Sequence, residues 1–152
     1  GLEPRLFTVY NPRAKPVPAG VVFTDTVPTG KFDAVVLGIK PQKLGEVTAE
    51  LAPLLGEQTM LISILAGVDH AALRERFPGA GGIARLMPNL AVAIGKSPNV
   101  LVASRLPSAM RDRLTDLAAR LGSAEWLDDE TQFDLVTALT GSGPGFVYRF
   151  IE

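Results

Sequence analysis

The chain contains two short, uninterrupted apolar runs. Residues 34–39 are all apolar or glycine, with no alternation of apolar and polar positions. Residues 59–65 form a second run that is mainly apolar. Continuous runs of this length are typical of strands that are covered on both faces, as in a parallel sheet. The pattern therefore predicts two buried central strands.

Amphipathic helices are predicted between and after these strands, from apolar residues at helical spacing with capping residues before them and glycine or proline after them. They are a helix after Pro41 that ends at Gly56, one that Asp69 caps and Pro78 ends, one over residues 107–121, and one that Asp128 or Asp129 caps. Shorter runs predict strands at residues 6–10, 21–24, 83–87, 100–103 and 125–127. Glycines within residues 140–145 predict a break before a terminal helix that begins near Pro144. Strands thus alternate with helices, so the predicted fold is α/β with a mostly parallel sheet flanked by helices.

Composition narrows the classes of function. The chain has 152 residues and a formal net charge of −1, which gives no indication of a nucleic-acid or membrane partner. The absence of cysteine excludes disulfides and thiolate metal sites, and the single histidine argues against a zinc site or a catalytic triad. No apolar run approaches the length of a membrane span. We therefore expect a cytoplasmic protein with no metal site.

Three of the predicted strands end in the same manner. They are followed by Lys40 and Pro41, by Ala66 and Gly67, and by Pro88 and Asn89 after Met87. If these strands are parallel neighbours, their turns line one edge of the sheet, and ligands of open α/β sheets bind at that edge. Small or rigid residues there let a ligand approach the backbone closely. The alternative is that these turns bind no ligand, because turns of this kind are often rich in glycine and proline in any case. The alternative for Lys40 is a solvated charge at a strand end.

A basic loop follows the first predicted strand and contains Asn11, Arg13 and Lys15. In a dinucleotide-binding sheet, an acidic residue at this position binds the ribose hydroxyls of NAD, whereas an arginine accommodates the 2′-phosphate of NADP. The loop has no acid and two cations, which favours NADP if a dinucleotide binds. The alternative is a solvated basic loop.

No glycine-rich G-x-G-x-x-G loop follows a first strand. The nearest glycine cluster, residues 79–82, lies after a helix and before a strand, which is the reverse of the order that this motif requires. A pyrophosphate-binding loop would have to lie upstream of Gly1. We interpret His70 as a solvated residue in a first helical turn, and the acidic run Asp128, Asp129 and Glu130 as favourable charge at a helix start.

The motifs resemble those of the pyrroline-5-carboxylate reductase family along the whole chain. The matching segments are residues 9–13, 34–42, 62–68, 84–89 and 139–147. The resemblance implies a Rossmann-like NADP(H)-binding domain over residues 1–140 that lacks its first strand and glycine-rich loop. It implies that residues 141–152 begin an all-helical domain that forms a homodimer or higher homo-oligomer. It also implies that the cofactor-binding residues are Asn11, Arg13, Lys40, Pro41, Ala66, Gly67, Met87, Pro88 and Asn89.

The family's reaction is the NADPH-dependent reduction of 1-pyrroline-5-carboxylate to proline, a C=N reduction of a small molecule. The chain departs from the family pattern at Leu90 and Ala91, at Gly143 and Gly145, and in its proline-rich loop at residues 11–18. Both ends read as cut, so we expect a segment of a longer enzyme that is inactive alone and contains no evident catalytic acid. The alternatives are another NADP-dependent imine or carbonyl reductase and a non-catalytic interaction module of the same fold.

Overall fold

The computed structural model describes residues 2–151, so Gly1 and Glu152, the outer ends of the two predicted domains, lie outside the described residues. The chain forms two compact units, Gly1–Lys31 and Phe32–Glu152. In the first unit, strands β1 (Thr8–Tyr10) and β2 (Val22–Thr24) pair in parallel. Both strands were predicted, but the first is shorter than expected because Pro4–Leu6 forms a 3₁₀ turn instead.

The second unit is built on a five-stranded sheet. Its strands, in spatial order, are β3 (Ala34–Leu37), β4 (Met60–Ser63), β5 (Gly82–Met87), β6 (Ser97–Ala103) and β7 (Gly122–Trp126). The first three strands are parallel neighbours, and β6 is parallel to β7. Strand β6 is antiparallel to β5, because the connection between them has too few residues for a parallel crossover. The prediction of a mostly parallel sheet is confirmed.

The predicted helices are present. They are α1 (Leu44–Leu51), α2 (His70–Arg76), α3 (Ser108–Leu121), α4 (Phe133–Thr137) and α5 (Gly143–Ile151). Asp69 caps α2 as predicted, since its carboxylate accepts a hydrogen bond from the Ala72 N–H at 2.8 Å. None of the helices in residues 2–151 is both long and apolar enough to cross a membrane.

The predicted break at residues 140–145 is wrong. Wider helical turns over Ala138–Ser142 connect α4 to α5, so the chain stays helical from Phe133 to Ile151. Pro144 has no N–H to donate to the carbonyl of Thr140, four residues earlier, and its ring would clash with that carbonyl in regular α-helix. A widened turn accommodates the proline without ending the helix.

The two faces of the sheet bury different side chains. On one face, Met60, Ile62 and Leu86 pack against Leu114 and Ala118 of α3. On the other face, Val100 and Val102 of β6 pack against Phe133 of α4, which is fully buried. Alternate residues of a strand point to opposite faces, so both faces are packed, while the carboxyl ends of β3, β4 and β5 lie side by side at one edge of the sheet.

Candidate functional site

The three turns predicted to share one edge of the sheet do so. Strands β3, β4 and β5 are consecutive parallel neighbours in register, so the turns that follow them lie side by side. Lys40 precedes a 3₁₀ turn, Pro41–Lys43, that leads into α1, and its own carbonyl accepts the Lys43 N–H at 2.9 Å. Parallel pairing thus brings Pro41, Gly67 and Asn89 to one edge from distant places in the sequence.

A cleft of about 360 Å³ opens between the first two of these turns. Pro41 and Gln42 line one side, and Gly67, Val68 and Asp69 line the other. This volume lies within the range of small-molecule sites. Gly67 has a φ of +69°, which side chains disfavour, and a Cβ atom there would contact nothing within 4 Å. The glycine is therefore required by the backbone conformation, and its lack of a side chain leaves the turn's peptide groups accessible.

Two residues of the third turn have mainly structural contacts. The side chain of Met87 packs against the cluster that contains Val100 and Phe133. The Asn89 side-chain oxygen accepts the Ala91 N–H at 2.9 Å, and its amide donates to the Thr140 carbonyl at 3.2 Å. The backbone N–H of Asn89 donates to the Ser97 hydroxyl at 2.9 Å. The polar groups of Asn89 therefore hold the turn in one conformation.

The basic loop belongs to the first unit, and its hydrogen bonds are made within that unit. The Asn11 N–H donates to the Thr24 carbonyl at 3.1 Å, which joins the end of β1 to the end of β2. The Asn11 side-chain oxygen accepts the Arg13 N–H at 2.9 Å, a tight turn that follows the strand directly. Asn11 thus shapes the loop, while the side chain of Arg13 is exposed and presents its guanidinium to solvent.

The glycine cluster at residues 79–82 packs the sheet and does not form a phosphate-binding loop. The Gly81 N–H donates to the carbonyls of Gly56 and Thr59, and a Cβ atom on Gly81 would overlap the Glu57 carbonyl. Gly82, the first residue of β5, instead lies against the side chains of Leu106 and Met110. Gly81 thus allows the segment before β5 to approach the segment before β4 closely, and Gly82 leaves room for side chains near the start of α3.

A charged network around the buried Arg85 was not predicted from the sequence. Arg85 lies in the middle of β5 and is 2% exposed. Its guanidinium donates to Glu130 at 2.8 Å and to Asp134 at 3.1 Å, and it stacks on the Phe133 ring 4.1 Å from the centroid. A buried charge inside an apolar strand requires an oppositely charged partner, and this rule is the signal that could have indicated the network.

The interpretation of His70 as a solvated residue is wrong. The residue is 8% exposed, and its Nδ1 lies 2.8 Å from Glu130 Oε1. Glu130 likewise does more than place charge at a helix start, because it accepts the His70 backbone N–H at 2.9 Å. The segment that follows β7 turns back over the sheet and carries Glu130 to both partners.

Asp129 is the capping residue of the acidic run. Its carboxylate accepts the Thr131 hydroxyl at 2.7 Å and the Thr131 N–H at 2.9 Å. These two hydrogen bonds, the side-chain one first, lower the pKa of the Asp129 carboxyl below its usual 3.8. Across residues 2–151, no cluster of three or more acidic or histidine side chains is arranged to hold a metal ion.

The chain is similar to reductases of known sequence. A family profile described as ketopantoate reductase PanE/ApbA matches residues 7–96. A pyrroline-5-carboxylate reductase of Pseudomonas aeruginosa is 34% identical over 133 residues, which cover 87% of this chain and 49% of that protein. One from Glycine max is 38% identical over 122 residues, covering 79% of this chain and 43% of that protein. The chain therefore spans about half the length of the curated relatives it matches.

Solved structures agree with these sequence similarities. Plasmodium falciparum pyrroline carboxylate reductase with NADP bound has a TM-score of 0.83 at 25% identity, covering 95% of this chain and 55% of that chain. The 1-pyrroline-5-carboxylate reductase of Streptococcus pyogenes has a TM-score of 0.67 at 34% identity, covering 80% of this chain and 45% of that chain. The Rossmann-like fold and the resemblance to pyrroline-5-carboxylate reductases are thereby confirmed, and the chain belongs to the ketopantoate reductase PanE/ApbA family that the profile describes.

Proposed function

We propose that this chain is the cofactor-binding part of a pyrroline-5-carboxylate reductase. The reaction transfers a hydride from NADPH to the C=N carbon of 1-pyrroline-5-carboxylate, while the ring nitrogen takes one proton, giving proline and NADP⁺. The observation that carries the proposal is a coincidence of motif and position. The turns that resemble the family's motifs, at Pro41, Gly67 and Asn89, are the turns that parallel pairing places at one sheet edge.

The geometry of this edge supports the proposal of a bound cofactor. The cleft offers peptide groups at Gly67 and a rigid wall at Pro41, and the side chains of Gln42, Leu44 and Arg76 also line it. When bound, NADPH supplies the hydride chemistry, and the protein supplies position and field. Backbone groups at Lys40, Pro41, Ala66 and Gly67 hold the cofactor in this proposal. The third turn, which comprises Met87, Pro88 and Asn89, is a rigid support beside it.

Arg13 is the proposed contact for the adenosine 2′-phosphate. Asn11 holds the loop through its bond to the Arg13 N–H, and the exposed guanidinium is free to bind a phosphate through two parallel hydrogen bonds. The similar reductase of Plasmodium falciparum has NADP bound in its solved structure, which supports the same cofactor here. NADP(H) is thus the proposed cofactor, with NAD(H) as the weaker ligand.

The terminal helix supports a homo-oligomer. Phe150 is 91% exposed, and Leu139, Phe146 and Ile151 are also exposed along the helical segment that starts at Phe133. An apolar stripe of this kind is typical of a surface that another helix covers. We include in the proposal a boundary near residue 140, a helical domain from residue 141 that forms the oligomer, and a cytoplasmic location.

A second candidate function follows from the family profile, whose description names ketopantoate reductase and therefore favours a carbonyl substrate. The experiment that separates the two follows NADPH oxidation by the protein that carries this chain, with 1-pyrroline-5-carboxylate or ketopantoate. The proposal predicts a kcat/KM at least ~100-fold higher for the imine, because an active site built for one polar group rejects its analogue strongly. Preference for ketopantoate would establish the second candidate, and no oxidation with either would favour an interaction module.

A further inference from the structure

One carboxylate oxygen of Glu130 accepts two hydrogen bonds and lies close to a third nitrogen. The Arg85 Nη1 donates to Glu130 Oε1 at 2.8 Å, the His70 backbone N–H donates at 2.9 Å, and the His70 Nδ1 lies 2.8 Å away. The three nitrogens come from β5 and from the first residue of α2. Glu130 thus joins the middle of a central strand to the start of a helix through a single atom.

The start of α2 is also one wall of the proposed cofactor cleft. Gly67, Val68 and Asp69 line the cleft, and His70 follows them directly. Glu130 accepts the His70 backbone N–H, and its carboxylate also lies 2.8 Å from the His70 Nδ1. Glu130 therefore holds the residue that follows this wall, three positions after the left-handed Gly67.

Arg85 explains why a carboxylate occupies this position. Its side chain is 3% exposed, and Glu130 is the less exposed of its two acidic partners, at 29% against 69% for Asp134. Burying a guanidinium is costly unless an anion pairs with it, so Arg85 anchors Glu130 firmly. The Phe133 ring beneath the guanidinium adds a further contact. Arg85 is therefore the fixed end of the link, and the turn before α2 is the end that it positions.

We propose that Glu130 is a positioning residue that sets the affinity for the nicotinamide cofactor by holding the wall at Gly67–Asp69 of the cleft against β5. The inference rests on the proposed function only in taking this cleft as the cofactor site. Its mechanism is pre-organisation: the turn is held in its binding conformation before the ligand arrives, which reduces the ordering cost of binding. Glu130 does not touch the cofactor and takes no part in the chemical step.

The test compares Glu130→Gln with Asp134→Asn in the protein that carries this chain. Both variants remove one negative charge from the Arg85 guanidinium, but Asp134 has no bond to His70, which makes it the matched control. The dissociation constant for NADPH is measured directly by titration, at a temperature where each variant is folded. We expect Glu130→Gln to weaken NADPH binding about tenfold, because a neutral amide oxygen is a weaker acceptor than a carboxylate for the Arg85 guanidinium and the His70 N–H. Asp134→Asn should change it less than about twofold.

Steady-state kinetics provide the readout that a merely structural role would not move. With 1-pyrroline-5-carboxylate as substrate, the KM for NADPH should rise in Glu130→Gln while kcat stays within about twofold of wild type. An unchanged dissociation constant in Glu130→Gln, or an equal loss in Asp134→Asn, would overturn the positioning role. If Glu130→Gln does not fold, Glu130→Asp takes its place, since it keeps a negative charge beside Arg85 and withdraws the oxygen from the His70 N–H. An unchanged affinity in Glu130→Asp would then overturn the proposal.

The outcomes separate this inference from the proposed function. A wild-type protein that binds NADPH but does not reduce 1-pyrroline-5-carboxylate contradicts the proposed substrate, and the binding comparison still decides the role of Glu130. A wild-type protein that does not bind NADPH overturns both, because the cleft is then no cofactor site. If the wild-type protein reduces 1-pyrroline-5-carboxylate and Glu130→Gln binds NADPH as tightly as wild type, this inference alone is overturned.

Discussion

The side-chain amide of Asn89 donates to the backbone carbonyl of Thr140 at 3.2 Å and so joins the turn after β5 to the C-terminal helical segment. This carbonyl would serve the N–H of the residue four positions later in a regular helix, and that residue is Pro144. The proline thus leaves an acceptor that Asn89 uses. A proline in the helix and an asparagine in a distant turn are coupled through one hydrogen bond.

Asn89→Ala should lower the free energy of unfolding by about 1–3 kcal/mol, because it removes a cap acceptor and a half-buried hydrogen bond. Asn89→Asp is the informative partner, since it keeps the oxygen that accepts the Ala91 N–H and loses only the donor to Thr140. Chemical denaturation at neutral pH should give a lower free energy of unfolding for Asn89→Asp than for wild type. In the variant, a carboxylate oxygen would face the Thr140 carbonyl oxygen. Stability equal to wild type in both variants would show that the link contributes nothing.

Gly81→Ala should be destabilising by about 1–3 kcal/mol, the usual cost of forcing extra atoms into a packed region. The added Cβ would overlap the Glu57 backbone carbonyl, which cannot move without breaking the approach of the two segments. Gly79→Ala is the control, because its Cβ would lie at 3.4 Å from the Leu55 carbonyl oxygen. Thermal unfolding of the two variants distinguishes a required glycine from an incidental one, and equal midpoints would contradict the packing role.

Local patterns were sufficient to predict the strands and turns of the edge. The runs at residues 34–39 and 59–65 are continuous in sequence, and their turns are marked by proline or glycine. The Arg85 network was not predictable from local pattern, because the partners of Arg85 lie far along the chain. Glu130 follows it by 45 residues and Asp134 by 49. His70 was misread for the same reason, since its partner Glu130 lies 60 residues later. Interactions between distant segments are decided by the packing of the sheet.

The glycine and proline signals were weaker guides in the C-terminal helical segment. They predicted a break at residues 140–145, yet the helix continues through widened turns. The antiparallel direction of β6 was likewise not evident, because the strand pattern itself does not encode direction. The first feature depends on the widened turn that accommodates Pro144, and the second on the short connection after β5.

The stabilising effect of Asp129 should depend on pH. Its pKa is lowered in the folded state by the Thr131 hydrogen bonds, so the contribution is fully present above the unfolded value of 3.8 and is lost as the pH falls through the lower folded value. The difference in melting temperature between wild type and Asp129→Asn should therefore shrink as the pH is lowered below 3.8. Thr131→Val, which removes the hydroxyl donor, should lose part of the same difference. A difference that is constant with pH would contradict this account.

Arg13→Ala should weaken NADPH much more than NADH. A guanidinium that binds the 2′-phosphate contributes only to the phosphorylated cofactor, and such a charged hydrogen bond is worth about tenfold or more in affinity. Titration of both cofactors into wild type and variant provides the comparison, with Arg5→Ala as a control that removes an exposed arginine already paired with Glu3. Equal losses for NADPH and NADH would contradict the 2′-phosphate assignment.

The most direct measurement follows the hydride itself. The protein that carries this chain is incubated with 1-pyrroline-5-carboxylate and NADPH deuterated at the transferable position of the nicotinamide ring, and the product is analysed by mass spectrometry and NMR. The account predicts proline that carries one deuterium on its δ-carbon, the former C=N carbon, with one NADP⁺ formed per proline. Formation of no labelled proline, while NADPH is oxidised with ketopantoate instead, would contradict it.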